Sequence, residues 1–120
     1  MRYVEGFVLP VPTKKLPAYR RFAQKVAKIW REHGALEVCE CVADDVEVGR
    51  LTSFPRSVEL KRGETVVLAW VTFRSRADRD RINAKVIADP RLAKLMKDPK
   101  DWLFDPKRMF HGGFKVLFTA

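Results

Sequence analysis

The chain has little of the chemistry that ordinarily announces a function. Its 120 residues hold two cysteines and two histidines, too few for most metal centres. Cys39 and Cys41 are one residue apart, and neither His33 nor His111 stands at a spacing that completes a ligand set with them. No metal and no other cofactor is expected. Two cysteines at this spacing in a strand share a face about 6 to 7 Å apart, where a disulfide is awkward, so free thiols are expected. Phosphate loops and nucleophile triads are missing too. The longest unbroken apolar run, Val66 to Val71, is six residues, far short of the roughly 20 that span a bilayer. The opening Met1-Arg2-Tyr3-Val4-Glu5 lacks signal-peptide organisation. Cytoplasm is the expected compartment, and no membrane partner is expected.

What is present describes a folded unit. Apolar residues make up 47% of the chain and charged residues 32%, a balance that excludes a disordered tail. At this length residues 1–120 form a single domain with one core, burying about two-thirds of the surface the unfolded chain exposes. The formal net charge of +9 favours anionic partners in a salt-sensitive way and says nothing about fold.

Hydrophobic periodicity gives the element order. Tyr3 to Val11 reads as a first strand ending at prolines. From Thr13 the period changes, and Leu16, Tyr19, Phe22, Ala23, Val26, Ile29, Trp30 and His33 recur at three and four, the stripe of an amphipathic helix, with Gly34 as its cap. Arg21, Lys25 and Lys28 fall on the opposite stripe and read as a solvated face. Ala35 to Ala43 alternates as a second strand, closed by Asp44, Asp45 and Gly49. Arg50 to Lys61 reads as a loop with a helical turn near Pro55. Glu64 to Phe73 is the most strand-like stretch and should be central. Ser75 caps a second helix that carries Ala77, Ile82, Val86 and Ile87 inward and ends before Pro90. Arg91 to Lys97 adds a short helix. A fourth strand, Arg108 to Phe118, contains His111-Gly112-Gly113, and the two glycines are expected to permit a bulge.

The order β-α-β-β-α-β predicts an α+β, ferredoxin-like fold: an antiparallel four-stranded sheet with both helices on one face. The other face is then bare. Covering it with a second copy would give a homodimer of the dimeric α+β barrel kind.

Five segments carry a resemblance: "YVEGFVLPVP" at Tyr3 to Pro12, "DDV" at Asp44 to Val46, "TSFPRSV" at Thr52 to Val58, "SRADRDRINAKVIADPR" at Ser75 to Arg91 and "FDPKRMFHGGF" at Phe104 to Phe114. In this order they resemble the bacterial YbaA-like family, small uncharacterised proteins grouped as a domain of unknown function and similar in fold to dimeric α+β barrels. The resemblance implies fold and dimer, and no reaction.

Two acids stand in apolar rows. Glu5 shares a parity with Tyr3, Phe7 and Leu9, and Glu40 shares one with Leu36, Val38 and Val42. Rows lining a barrel would leave both carboxylates partly desolvated, in need of a partner or raised in pKa. Arg56, Arg108 and His111 are the expected partners and Trp70 a flat wall, which together predict a small-molecule pocket between the sheet and a second copy. The alternative is that both acids sit at strand edges or form salt bridges across the dimer interface. The first functional reading is a barrel that binds a small organic ligand or acts on it without a cofactor. The second is an RNA-binding or other anion-binding module, ranked lower because the chain lacks the glycine-flanked aromatic pair of RNA-recognition sheets. A purely structural dimer is the third.

Overall fold

The computed structural model describes residues 2–120. Strand β1 (Tyr3–Pro12) is followed by a single 3-10 turn at Thr13–Lys15 and helix α1 (Leu16–Glu32). Then come β2 (Glu37–Val42), a short helix α2 (Phe54–Ser57), β3 (Glu64–Phe73), α3 (Arg76–Ile87), α4 (Pro90–Leu95), a 3-10 turn at Pro99–Asp101 and β4 (Phe110–Lys115). The strands lie in the order β2-β3-β1-β4, and every neighbouring pair is antiparallel. This is the ferredoxin-like arrangement the sequence predicts.

Local chemistry sets the boundaries. The Ser75 hydroxyl accepts the Asp78 amide at 3.1 Å to open α3, and Asp89 accepts the Arg91 amide at 2.9 Å to open α4. Helix α1 stops at Gly34, whose φ of +117° an L side chain rarely adopts. Its carbonyl-rich end is tied to α4 through His33, which meets Asp89 at 2.8 Å.

The helices cover one face of the sheet. Tyr3, Val71 and Phe73 pack there against Ile29 of α1 and Ile82 and Val86 of α3, while Leu9, Val11, Val67 and Ala69 pack against Tyr19 and Ala23. The opposite face carries Val4, Gly6 and Val8 of β1, Leu68 and Trp70 of β3, Cys39 and Cys41 of β2, and Phe110 and Phe114 of β4, as the register requires. Val58 and Leu60, after α2, cover one end of that face by packing on Val8 and Val66. The rest is bare. The two thiols are free, with sulfurs 3.8 Å apart.

Several expectations need correction. Strand β4 ends at Lys115, although the Val116 amide still donates to the Arg2 carbonyl at 3.1 Å. There is no bulge at the glycines: Gly112 faces Gly6 and Gly113 faces Glu5 in unbroken register. Gly113 is required for another reason. A Cβ there would fall 2.6 Å from Arg79 Nη1 and closer still to the Tyr3 hydroxyl. In α3, Ile82 and Val86 are buried, but Ile87 is 75% exposed and Ala77 is exposed, because the inner stripe runs through Arg79, Ile82, Asn83 and Val86.

Candidate functional site

The sequence groups Glu5 and Glu40 correctly into their rows, but those rows face the helices, not the bare face. Glu5 is 5% exposed. Its Oε1 accepts from Arg79 at 3.1 Å and from the Asn83 amide at 3.0 Å, and its Oε2 lies 3.4 Å from His111 Nδ1. The Trp30 indole donates to Asn83 Oδ1 at 3.0 Å, and Arg79 lies over the Tyr3 ring. Every hydrogen-bonding need of the buried acid is met inside the fold, so this cluster ties α3 to the sheet.

Glu40 is placed differently. It stands on the edge strand β2 and is exposed as a residue, but its carboxylate turns under α1 and accepts the Tyr19 hydroxyl at 2.6 Å. Crowding by protein atoms raises its pKa, with the Tyr19 hydrogen bond working in the opposite direction. Burial first, then the neighbouring carboxylate, pushes the Tyr19 phenol up as well.

Beside this pair is a half-open apolar cavity of about 170 Å³ between α1 and the sheet. Its floor is Phe7, Leu9, Val38, Ala69 and Val71; its roof is Phe22, Ala23, Val26, Ala27 and Trp30; Leu92, Met96, Phe104 and Met109 close the far side. Small side chains make the space: Ala23, Ala27 and Ala69 face it where larger residues would fill it. A groove of about 570 Å³ runs along the outside between α1 and β2, and it shares Tyr19, Ala23, Ala27, Val38 and Glu40 with the cavity. The hydrogen-bonded pair therefore stands where open groove meets apolar interior.

The other expected pocket residues lie elsewhere. Trp70 borders the cavity along its strand, but its indole donates to Glu37 Oε1 at 2.9 Å on the bare face. Arg56 holds the loop before α2 by donating to the carbonyls of Val48 and Gly49 at 3.0 and 3.1 Å. Arg108 makes a two-pronged ion pair with Glu64 at 2.8 and 2.7 Å and also binds Asp105, which pulls the Glu64 carboxyl below its ordinary range. Glu5 and His111 are brought into direct contact, Glu40 and Trp70 share the lining of the cavity, and Glu40 is the one carboxylate in that lining. Within the single chain, the space that Glu40 and Trp70 border lies between the sheet and the chain's own helices.

Sequence reasoning placed Tyr19, Phe22 and Trp30 on the core stripe of α1 and missed that they line a space. The available signal was a tyrosine hydroxyl on a buried stripe, where it needs an acceptor. Arg21, Lys25 and Lys28 are exposed on α1, the solvated face expected of them. Among the described residues no group of three or more His, Cys, Asp and Glu side chains is placed to hold a metal ion.

Comparison with known proteins gives the fold a context. The uncharacterised protein YbaA of Escherichia coli K12 is 42% identical over 117 residues, spanning 98% of this chain and 97% of that protein. A dimeric ferredoxin-like protein from an uncultured marine organism covers 100% of each chain at a TM-score of 0.61 and 11% identity. SnoaB, a cofactor-independent oxygenase from Streptomyces nogalater, covers 98% of this chain and 95% of its own at a TM-score of 0.53 and 16% identity. At such identities the two structures share the fold alone with this chain. A family model described as protein of unknown function (DUF1428) matches residues 2–106, and the chain belongs to that family.

Proposed function

We propose that the cavity between α1 and the sheet binds a small planar apolar molecule whose polar end meets the Tyr19–Glu40 pair. The observation that carries this reading is the juxtaposition of an aromatic-lined space of about 170 Å³ with one carboxylate at its rim. An apolar cavity of about 150 Å³ accepts benzene, so single-ring and small bicyclic ligands fit. A ligand hydroxyl beside Glu40 would find an acceptor in a low-dielectric setting. The raised pKa of that carboxyl makes it a better proton acceptor than an ordinary glutamate. The reading extends to cofactor-independent chemistry on a phenol or enol, begun by proton transfer from the ligand oxygen to Glu40. SnoaB, which shares the fold, is named as a cofactor-independent oxygenase.

The working unit in this reading is a homodimer. The face opposite the helices exposes Leu68 at 37%, Phe110 at 47% and Phe114 at 65%. Apolar residues grouped this way on one face mark a protein contact.

Calorimetric titration with p-cresol and with its methyl ether, 4-methylanisole, tests the binding. The wild type should bind both and prefer p-cresol. Glu40→Gln should reduce the preference, and Ala27→Phe, which fills the entrance, should abolish both while leaving the fold intact. Failure of the wild type to bind either probe or any ring compound of that size would overturn the reading.

A further inference from the structure

Beyond β4 the chain leaves the sheet with its two most exposed large apolar side chains after Leu51: Leu117 is 86% exposed and Phe118 is 77% exposed. The Val116 amide is still paired to the Arg2 carbonyl, so this segment departs from a defined corner of the bare face, at the β4 edge and the Tyr3 end of β1. At the diagonally opposite corner, on the β2 edge and the Pro10 end, the same face holds an apolar groove of about 160 Å³ lined by Cys41, Val42, Val46, Phe54, Val66 and Leu68.

We propose that the segment Leu117–Phe118 of one copy seats in this groove of a second copy, and reciprocally. The inference rests on the homodimer reading and specifies how the two faces meet. Face-to-face sheets pack either near-aligned or near-orthogonal. A two-fold axis parallel to the strands, or perpendicular to them within the face, brings the tail corner over a corner other than the groove. Orthogonal packing about one diagonal of the sheet places tail corner on groove corner at both ends of the interface; the other diagonal places tail on tail. Charge selects the first. Arg2 and Lys115 flank the tail, whereas Asp44 lines the groove and Asp45 and Glu47 follow it, all of them exposed. The groove's volume is close to the roughly 150 Å³ that holds one benzene ring.

The native Cys41 in the groove supplies the test. Within one chain the two corners are separated by about 23 Å along the strands, since Tyr3 to Pro10 is seven steps of roughly 3.3 Å, so an intrachain disulfide from the tail cannot form. In a Cys39→Ser background, Thr119→Cys is oxidised mildly at low protein concentration and run on a non-reducing gel. The expected result is a covalent dimer that disappears when Cys41→Ser is added. Separately, Leu117→Ser with Phe118→Ser should raise the dimer dissociation constant on the order of 100-fold in sedimentation equilibrium, because each dimer loses two pairs of anchors. These side chains are exposed in the single chain, so circular dichroism of the variant should be unchanged. A wild-type protein that sediments as a monomer overturns the dimer reading itself. A wild-type dimer whose crosslink survives Cys41→Ser, or that forms none and is indifferent to the serine substitutions, leaves the dimer standing and overturns this placement of the tail.

Discussion

The two adjacent glycines of β4 should respond oppositely to the same substitution. Gly112 lies on the bare face, where an added Cβ meets only Phe114 Cε1 at 3.9 Å, an ordinary contact. Gly113 lies on the helix face, where the added methyl would fall 2.6 Å from both Arg79 Nη1 and Tyr3 Cε2. Tyr3 is only 7% exposed and carries Arg79 over its ring at 4.9 Å, so neither group can move freely. Overpacking of this kind costs about 1–3 kcal/mol. Displacing Arg79 also deprives Glu5 of one partner, and breaking a buried ion pair costs about 3–5 kcal/mol when nothing replaces it. Asn83 and His111 remain beside Glu5, which keeps the loss toward the lower end. Gly113→Ala should therefore destabilise by about 2–4 kcal/mol, or roughly 10 °C in melting temperature for a domain of this size. Gly112→Ala should change stability by less than about 1 kcal/mol, since alanine loses less chain entropy than glycine on folding. Thermal denaturation followed by circular dichroism decides between them. Gly113→Ala melting within 2 °C of wild type on the ~10 °C scale just worked out would refute the packing argument, as would Gly112→Ala being the more damaging of the two.

Three further outcomes are expected. Arg91 and His33 hold the Asp89 carboxyl well below its usual range, and Arg108 lowers that of Glu64. Both groups bind protons more weakly folded than unfolded, so their contribution is present above about pH 4 and is lost as pH falls through the folded values; an acid titration of melting temperature should show this decline, and a flat profile would contradict it. Glu40 has the opposite sign. Its folded pKa is raised, so stability falls as pH rises from its unfolded value through the folded one, and Glu40→Gln should melt above wild type at pH 7 and converge with it at pH 3. Arg108→Ala strips Glu64, whose side chain is 11% exposed, of its two-pronged partner, and urea denaturation should show a loss of about 3 kcal/mol; a loss below about 1 kcal/mol would place the pair among surface bridges.

How far the sequence could be read follows from what periodicity encodes. Alternation assigned Glu5 to the row of Tyr3 and Phe7, and Glu40 to that of Val38, because side chains of one parity share a face. It cannot say which of the two faces the helices cover, since both are apolar here, and so it does not place the acids under the helices. Strand β4 reads through Phe118 because Val116, Leu117 and Phe118 continue an apolar run, yet its ladder stops at Lys115 opposite Tyr3, with one further bond from the Val116 amide to the Arg2 carbonyl. That surplus of apolar residues is the feature the tail docking explains. The cavity was not legible because it depends on Ala23, Ala27 and Ala69 meeting across α1 and the sheet, a coincidence of volumes from distant parts of the chain. The Arg108–Glu64 pair likewise joins residues whose closeness no local spacing announces.

The cavity reading is tested most directly by the indole N–H signals of the protein's three tryptophans during titration with p-cresol. Trp30 lines the cavity roof with its indole bonded to Asn83, whereas the Trp70 indole is bonded to Glu37 on the opposite face and the Trp102 indole to the Met96 carbonyl. A ligand in the cavity should shift the Trp30 signal saturably and leave that of Trp70 unmoved. A saturable shift at Trp70 with Trp30 unchanged would put the ligand on the bare sheet face and contradict the account.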